Sequence, residues 1–146
     1  MKVRLTRRGD YAVRAMVTLA RHGTDQLTGA AIAEATGIPA SYVPQVMSDL
    51  VRAGLVANRR GRAGGYRLAR DADEVSLFEI VEAAEGEAQP RRCVLRGGPC
   101  SGQADGVCDV LDAFSRAEQG VFATLSTVSL AEAAGRSPAS ESPPGH

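Results

Sequence analysis

The 146-residue sequence is short of several things that common protein functions require. It has no apolar run approaching the roughly 20 residues needed to cross a bilayer. Its basic start, Met1 to Arg8, leads into no continuous apolar segment of the secretory kind. A cytoplasmic chain with no membrane partner is therefore expected. Histidine is limited to His22 and His146, and no glycine fingerprint follows a strand and opens a helix. No Ser/His/Asp set or carboxylate pair stands out, so an enzyme is not expected. The three cysteines are an odd number, which argues against a disulfide framework. Lysine is nearly missing: of 17 cationic residues only Lys2 is not arginine. Arginine forms bidentate contacts with phosphate and guanine, which fits a nucleic-acid partner, although GC-rich codon usage has the same effect.

What is present is unevenly placed. The formal net charge is zero, yet residues 1–70 carry 12 Lys+Arg against 4 Asp+Glu, while residues 71–146 carry 5 against 13. One end is therefore suited to a polyanion and the other to something else. With 44% apolar residues, the chain can bury a core without metal or disulfide staples.

Helical spacing of Ala12, Met16, Leu19 and Ala20 predicts a first helix from about Arg7 to Arg21, with Thr6 as cap and His22-Gly23 ending it. A second runs from Gly29 to Thr36, capped by Thr28 and stopped by Gly37 in a left-handed turn. The third runs from Ser41 or Tyr42 to Ala53, with Ser41 as cap and Pro44 at the third helical position. Two short alternating runs on either side of Gly61 to Gly65 predict a hairpin. Ser76 and Glu79 form a capping box for a fourth helix through Ala84, closed by Gly86. No period appears between Glu87 and Cys108. From Asp109 a long helix follows, with Leu111, Phe114, Val121, Leu125 and Val128 at three- and four-residue steps, and Ser129 with Glu132 is placed to cap one more short turn. The Ser/Pro/Gly-rich end, 135–146, is expected to be disordered.

The expected fold class is mainly α: a winged helix-turn-helix DNA-binding domain over 1–86, a cysteine-rich loop over 87–108 and a long helix over 109–134. If Val43, Val46, Met47 and Leu50 face inward, Ser41, Gln45, Ser48 and Arg52 project together toward a major groove. Tyr42 stands beside them. Arg59, Arg60 and Arg62, with Gly64 and Gly65, form the wing that would meet the DNA backbone or minor groove. The competing reading is a small helical core with a solvated arginine-rich turn.

Cys93-x6-Cys100-x7-Cys108 gathers three soft donors in a glycine-rich loop, as an iron–sulfur cluster or a zinc ion requires. Zinc usually takes shorter Cys-x2–4-Cys knuckles, so the spacing leans toward a cluster. One disulfide with a spare thiol, or three unrelated thiols, is the alternative.

The opening Leu5 to Met16 (LTRRGDYAVRAM), Ser41-Tyr42-Val43, the wing Arg60 to Leu68 (RGRAGGYRL), Val75-Ser76-Leu77 leading to Gly86, and the cysteine triad together resemble the IscR/NsrR family of bacterial iron–sulfur transcription regulators over about residues 2–134. The resemblance implies a homodimer that pairs its long helices on a near-palindromic duplex. It also implies a 2Fe–2S or 4Fe–4S cluster, the latter preferred, whose state sets DNA affinity. The implied function is a dimeric repressor that senses nitric oxide, oxygen or redox state. Family loops often space the cysteines by five; here they are six and seven apart. The IscR branch places a histidine three residues after the third cysteine, where this chain has Leu111. The NsrR branch takes a carboxylate from the first helix of the partner subunit, and Asp10 matches that position. The other readings of Asp10 are an ion pair with Arg14 or a helix N-terminal charge, with Asp105 or Asp109 as local substitutes. Two alternatives remain for the whole chain: a cluster-free regulator with oxidant-sensing thiols or a small-molecule ligand, and an iron–sulfur electron carrier.

Overall fold

The structure is a computed structural model that describes residues 4–62, 64–86 and 109–135, with Leu111 described by its backbone alone. The cysteine loop, including Cys93, Cys100, Asp105 and Cys108, and the tail after Gly135 lie outside the described residues.

Local caps set the first two helices. Helix α1 (Arg7–His22) starts where the Thr6 hydroxyl accepts the Gly9 amide at 3.2 Å. Helix α2 (Gly29–Thr36) starts where the Thr28 hydroxyl accepts the Ala31 amide at 3.1 Å, and Gly37 ends it at φ 74°. A left-handed residue there favours glycine because a side chain would crowd the backbone.

Helix α3 (Val43–Arg52) departs from its expected start. Ser41 does not cap it; the Tyr42 amide bonds the Pro39 carbonyl at 2.9 Å, closing a turn, and Tyr42 becomes the boundary residue without a side-chain cap. Pro44 therefore falls at the second helical position, where its missing N–H would have had no helical partner.

Strands β1 (Val56–Arg59) and β2 (Gly65–Leu68) pair antiparallel, Val56 with Leu68 and Arg59 with Gly65. The hairpin does not stand alone. Leu27 and Tyr66 exchange two backbone hydrogen bonds, of 2.9 and 2.7 Å, so the α1–α2 connection adds a short third edge to the sheet.

Helix α4 (Leu77–Glu85) opens with the full capping box of Ser76 and Glu79. Helix α5 (Asp109–Thr127) is followed by α6 (Leu130–Gly135), whose start carries the reciprocal Ser129–Glu132 bonds at 3.1 and 3.3 Å. The long helix ends at Thr127, and the short capped turn expected at Ser129 and Glu132 follows it as α6. This turn returns to the core: the Leu130 amide bonds the Val75 carbonyl at 2.7 Å, and the Leu130 side chain is fully buried. Arg21 at the end of α1 donates to the Ala134 carbonyl at 3.0 Å.

The core is the shared interior of α1, α2, α3, α4 and α6, filled by Met16, Leu19, Ile32, Met47, Leu50, Ile80 and Leu130. Burying each such side chain is worth about 1.5–3 kcal/mol. Among the described residues, no helix is long and apolar enough to cross a membrane.

Candidate nucleic-acid interface

Helix α3 presents two faces. Val43, Val46, Met47 and Leu50 are buried, while Ser41, Gln45, Ser48 and Arg52 are exposed. At 3.6 residues per turn, Gln45, Ser48 and Arg52 fall within an arc of about 60°. One amide, one hydroxyl and one guanidinium thus face solvent in a row about two turns long, a length and chemistry suited to base edges and phosphates. Tyr42 is exposed at the head of this row and its ring packs on Tyr11 of α1, with centroids 5.9 Å apart and planes tilted by 60°.

The hairpin supplies the cations. Arg59 ends β1, and Arg60 and Arg62 lie on the connection, all exposed. Among the described residues, no carboxylate pairs with any of the three. They stand as net positive charge beside α3. Gly64 and Gly65, placed with them in the sequence reading, have a packing reason. A Cβ on Gly65 would lie 2.7 Å from the Leu27 carbonyl oxygen, and one on Gly64 would fall onto the Arg59 carbonyl. Gly65 is buried, so the pair shapes the wing by letting backbone approach backbone.

Sequence reasoning missed a carboxylate in this region. Asp49 of α3 is only 6% exposed, and Arg8 of α1 reaches it at 2.5 Å from 41 residues away. Arg52 approaches the other carboxylate oxygen at 3.7 Å. An acid in the middle of a helix from the basic half was the available signal, but its partner on α1 could not be read from spacing.

Asp10 carries a two-point ion pair with Arg14, at 3.1 and 3.0 Å, which is the local pairing its i,i+4 spacing allows. The pair borders an open cleft of about 570 Å³ lined also by Arg4, Arg7 and Tyr11. Nearby, Glu85 at the end of α4 accepts from both the amide and the hydroxyl of Thr6, at 3.0 and 2.7 Å. The last turn before residue 87 is thereby tied to the start of α1. Asp109, the other described carboxylate considered as a ligand, is exposed in the first turn of α5. Among the described residues, no three His, Cys, Asp or Glu side chains cluster around one point.

Helix α5 has an exposed apolar side. Val110 and Phe114 are 39% and 43% exposed, and Val121 and Leu125 are half-buried, as is Val128 just past the helix end. Among the described residues its second half docks on α4, where Phe122 packs on Phe78 with centroids 5.2 Å apart.

Three helices closed by an arginine-bearing hairpin, with the third helix exposing a polar row, define a winged helix-turn-helix transcriptional regulator. Comparison with known proteins agrees and narrows the class. The chain belongs to the Rrf2 family, described as iron-dependent transcriptional regulators, whose model matches residues 5–136. The HTH-type transcriptional regulator IscR of Photobacterium profundum is 41% identical over 92 residues, 62% of this chain and 54% of that one. IscR of Cronobacter sakazakii is 40% identical over 101 residues, 68% of this chain and 62% of that one. The matches therefore span less than two thirds of these relatives' own length. Among solved structures, T. potens IscR superposes with a TM-score of 0.73 at 25% identity, covering 99% of this chain and 96% of that chain. CymR (YrzC), titled the global cysteine regulator of B. subtilis, gives 0.71 at 24% identity over 92% of this chain and 98% of that one, a likeness of fold. The family is one of regulators and not of enzymes.

Proposed function

We propose that this chain is a cytoplasmic, homodimeric repressor that binds a near-palindromic DNA duplex through α3 and the wing, and that Cys93, Cys100 and Cys108 hold an iron–sulfur cluster. The observation that carries the reading is the exposed row Gln45, Ser48 and Arg52 beside three wing cations, Arg59, Arg60 and Arg62, with which no described carboxylate pairs. In this reading Ser41, Tyr42, Gln45 and Ser48 meet base edges and the sugar-phosphate backbone. The arginines neutralise phosphates, and Gly64 and Gly65 keep the wing narrow. The half-exposed apolar side of α5 supports dimerisation, because Val110 and Phe114 on its first turns lie open to solvent and a second copy would cover them.

The donor set fits the proposed group: three soft thiolates within 16 residues suit iron and sulfide. The partner subunit's Asp10 is the proposed fourth ligand, and Asp10 reaches solvent on the surface of α1 while Arg14 holds its orientation. When bound, such a cluster, preferably 4Fe–4S, supplies reactivity toward nitric oxide, oxygen or a change in redox state. Thr6 and Glu85 connect the cysteine segment's upstream end to α1, which packs against α3. A change in the loop thus has a short covalent and hydrogen-bonded route toward the DNA-reading helix.

Two measurements test the two halves of this reading. Anisotropy with a mixed-sequence duplex is expected to show affinity falling steeply with salt, through counterion release. The Arg59→Gln, Arg60→Gln, Arg62→Gln triple variant is expected to flatten the log–log slope by about two to three. A salt-indifferent wild type contradicts the DNA reading. Anaerobic native mass spectrometry is expected to give two chains plus iron and sulfide, lost in Cys93→Ala, Cys100→Ala and Cys108→Ala. A metal-free or zinc-loaded dimer contradicts the cluster and leaves the DNA reading standing.

A further inference from the structure

Asp49 is the one polar or charged side chain among the described residues that is buried, and it is buried on the recognition helix. A carboxylate taken out of water is costly unless donors replace the lost hydration. Here Arg8 does so, donating to Oδ2 at 2.5 Å, while Arg52 stands 3.7 Å from Oδ1, an ion pair without a hydrogen bond. The two cations keep 55% and 76% of their side chains exposed, so the carboxylate holds one edge of Arg8 by a hydrogen bond, draws Arg52 by charge, and leaves their other edges facing solvent. One buried acid between two exposed cations leaves a net positive charge of one at this point. The i,i+3 relation puts Asp49 about 60° from Arg52 around α3, on the flank where Arg8 arrives from α1. Arg52 itself lies in the polar row with Gln45 and Ser48.

From this arrangement we infer that Asp49 is a positioning residue that holds Arg8 and Arg52 as a two-guanidinium clamp for a DNA backbone phosphate at the edge of the recognition helix. The inference rests on the DNA-binding reading and extends the interface from α3 and the wing to the first turn of α1. Arginine suits the task because its planar fork keeps free donors for a phosphate while another edge is held by a carboxylate. Pre-ordering matters because each arginine side chain otherwise loses rotamer entropy when fixed. Asp49 orders both before DNA arrives.

The test uses the full-length dimer and opposes two signs. If only bulk charge counts, Asp49→Asn removes a negative charge beside DNA and tightens binding. If Asp49 positions the clamp, Asp49→Asn weakens binding despite the added positive charge. Anisotropy with a mixed-sequence duplex at about 100 mM salt is expected to show roughly tenfold weaker binding, with the salt slope flatter by about one to two. Arg8→Gln is expected to weaken the wild type and to add little in the Asp49→Asn background. Asp49→Asn that binds as tightly as wild type or tighter, with an unchanged slope, overturns the clamp. Should Asp49→Asn fail to fold by circular dichroism, the exposed variants decide. Arg8→Gln and Arg52→Gln must each lower affinity and slope, and Arg8→Gln at wild-type affinity overturns the inference. A wild type that binds DNA without salt dependence removes the underlying reading, whereas a salt-dependent wild type with indifferent Asp49 and Arg8 variants removes the clamp alone.

Discussion

Glu79 shows how one side chain can hold two elements in place. Its carboxylate accepts the Ser76 amide at 3.0 Å, completing the α4 cap, and accepts Arg70 at 2.8 Å. The Ser76 backbone hydrogen bond, and after it the Arg70 hydrogen bond, hold the Glu79 carboxyl below its ordinary value, while the same contact raises Arg70. A carboxyl depressed in the folded state adds stability that is fully present above its unfolded value of about 4.3 and is lost as pH falls through the lower folded value. Glu79→Gln keeps the shape and a neutral acceptor, so it reads the charge. Urea denaturation is expected to show it about 0.5–1 kcal/mol less stable than wild type at pH 7, with the gap closing below about pH 4. A gap that stays constant down to about pH 3 contradicts this role. The same residue-by-residue logic assigns Asp49 its place: a buried acid is tolerated because two arginines share it.

The elements depend on contacts of different reach. Gly65 is needed because β2 passes under Leu27, so Gly65→Ala is expected to cost about 1–3 kcal/mol by overpacking against backbone that cannot swing aside. Helix α6 depends on Leu130, and Leu130→Ala is expected to cost about 2–5 kcal/mol by opening a cavity beside α1. Both are read from urea midpoints, and a neutral outcome for either contradicts the packing described. The pattern of reach also explains what was legible in advance. The limits of α1, α2 and α4 follow from Thr6, Thr28, Gly37 and the Ser76–Glu79 box, all of which act within a turn, and so they could be read from the chain. The exposed row on α3 followed from helical period. The Leu27–Tyr66 pairing, the docking of α6 and the Arg8–Asp49 bridge join residues 39 or more positions apart, and no local pattern announces them. Ser41 lost its capping role to a local turn: the Tyr42 amide closes on the Pro39 carbonyl, and Tyr42 in place of Ser41 bounds the helix.

At the scale of the whole molecule, the basic half folds into the winged domain, and α5 leaves it as a helix about 28 Å long at 1.5 Å per residue. Its apolar side is the proposed meeting place of two copies. In the proposed dimer, Phe114→Asp is expected to give a monomer by sedimentation equilibrium while circular dichroism keeps its helical signal. Duplex affinity should fall by at least about tenfold, since one half-site alone then carries the binding. A Phe114→Asp dimer of unchanged strength contradicts pairing through this face. The most direct test is selection from a pool of random duplexes by the 146-residue protein, followed by sequencing. The account expects an inverted repeat whose half-site centres lie about 10–10.5 base pairs apart or a multiple of that, as two symmetry-related α3 helices require. Enrichment of no sequence, or of a single unrepeated site, would contradict it.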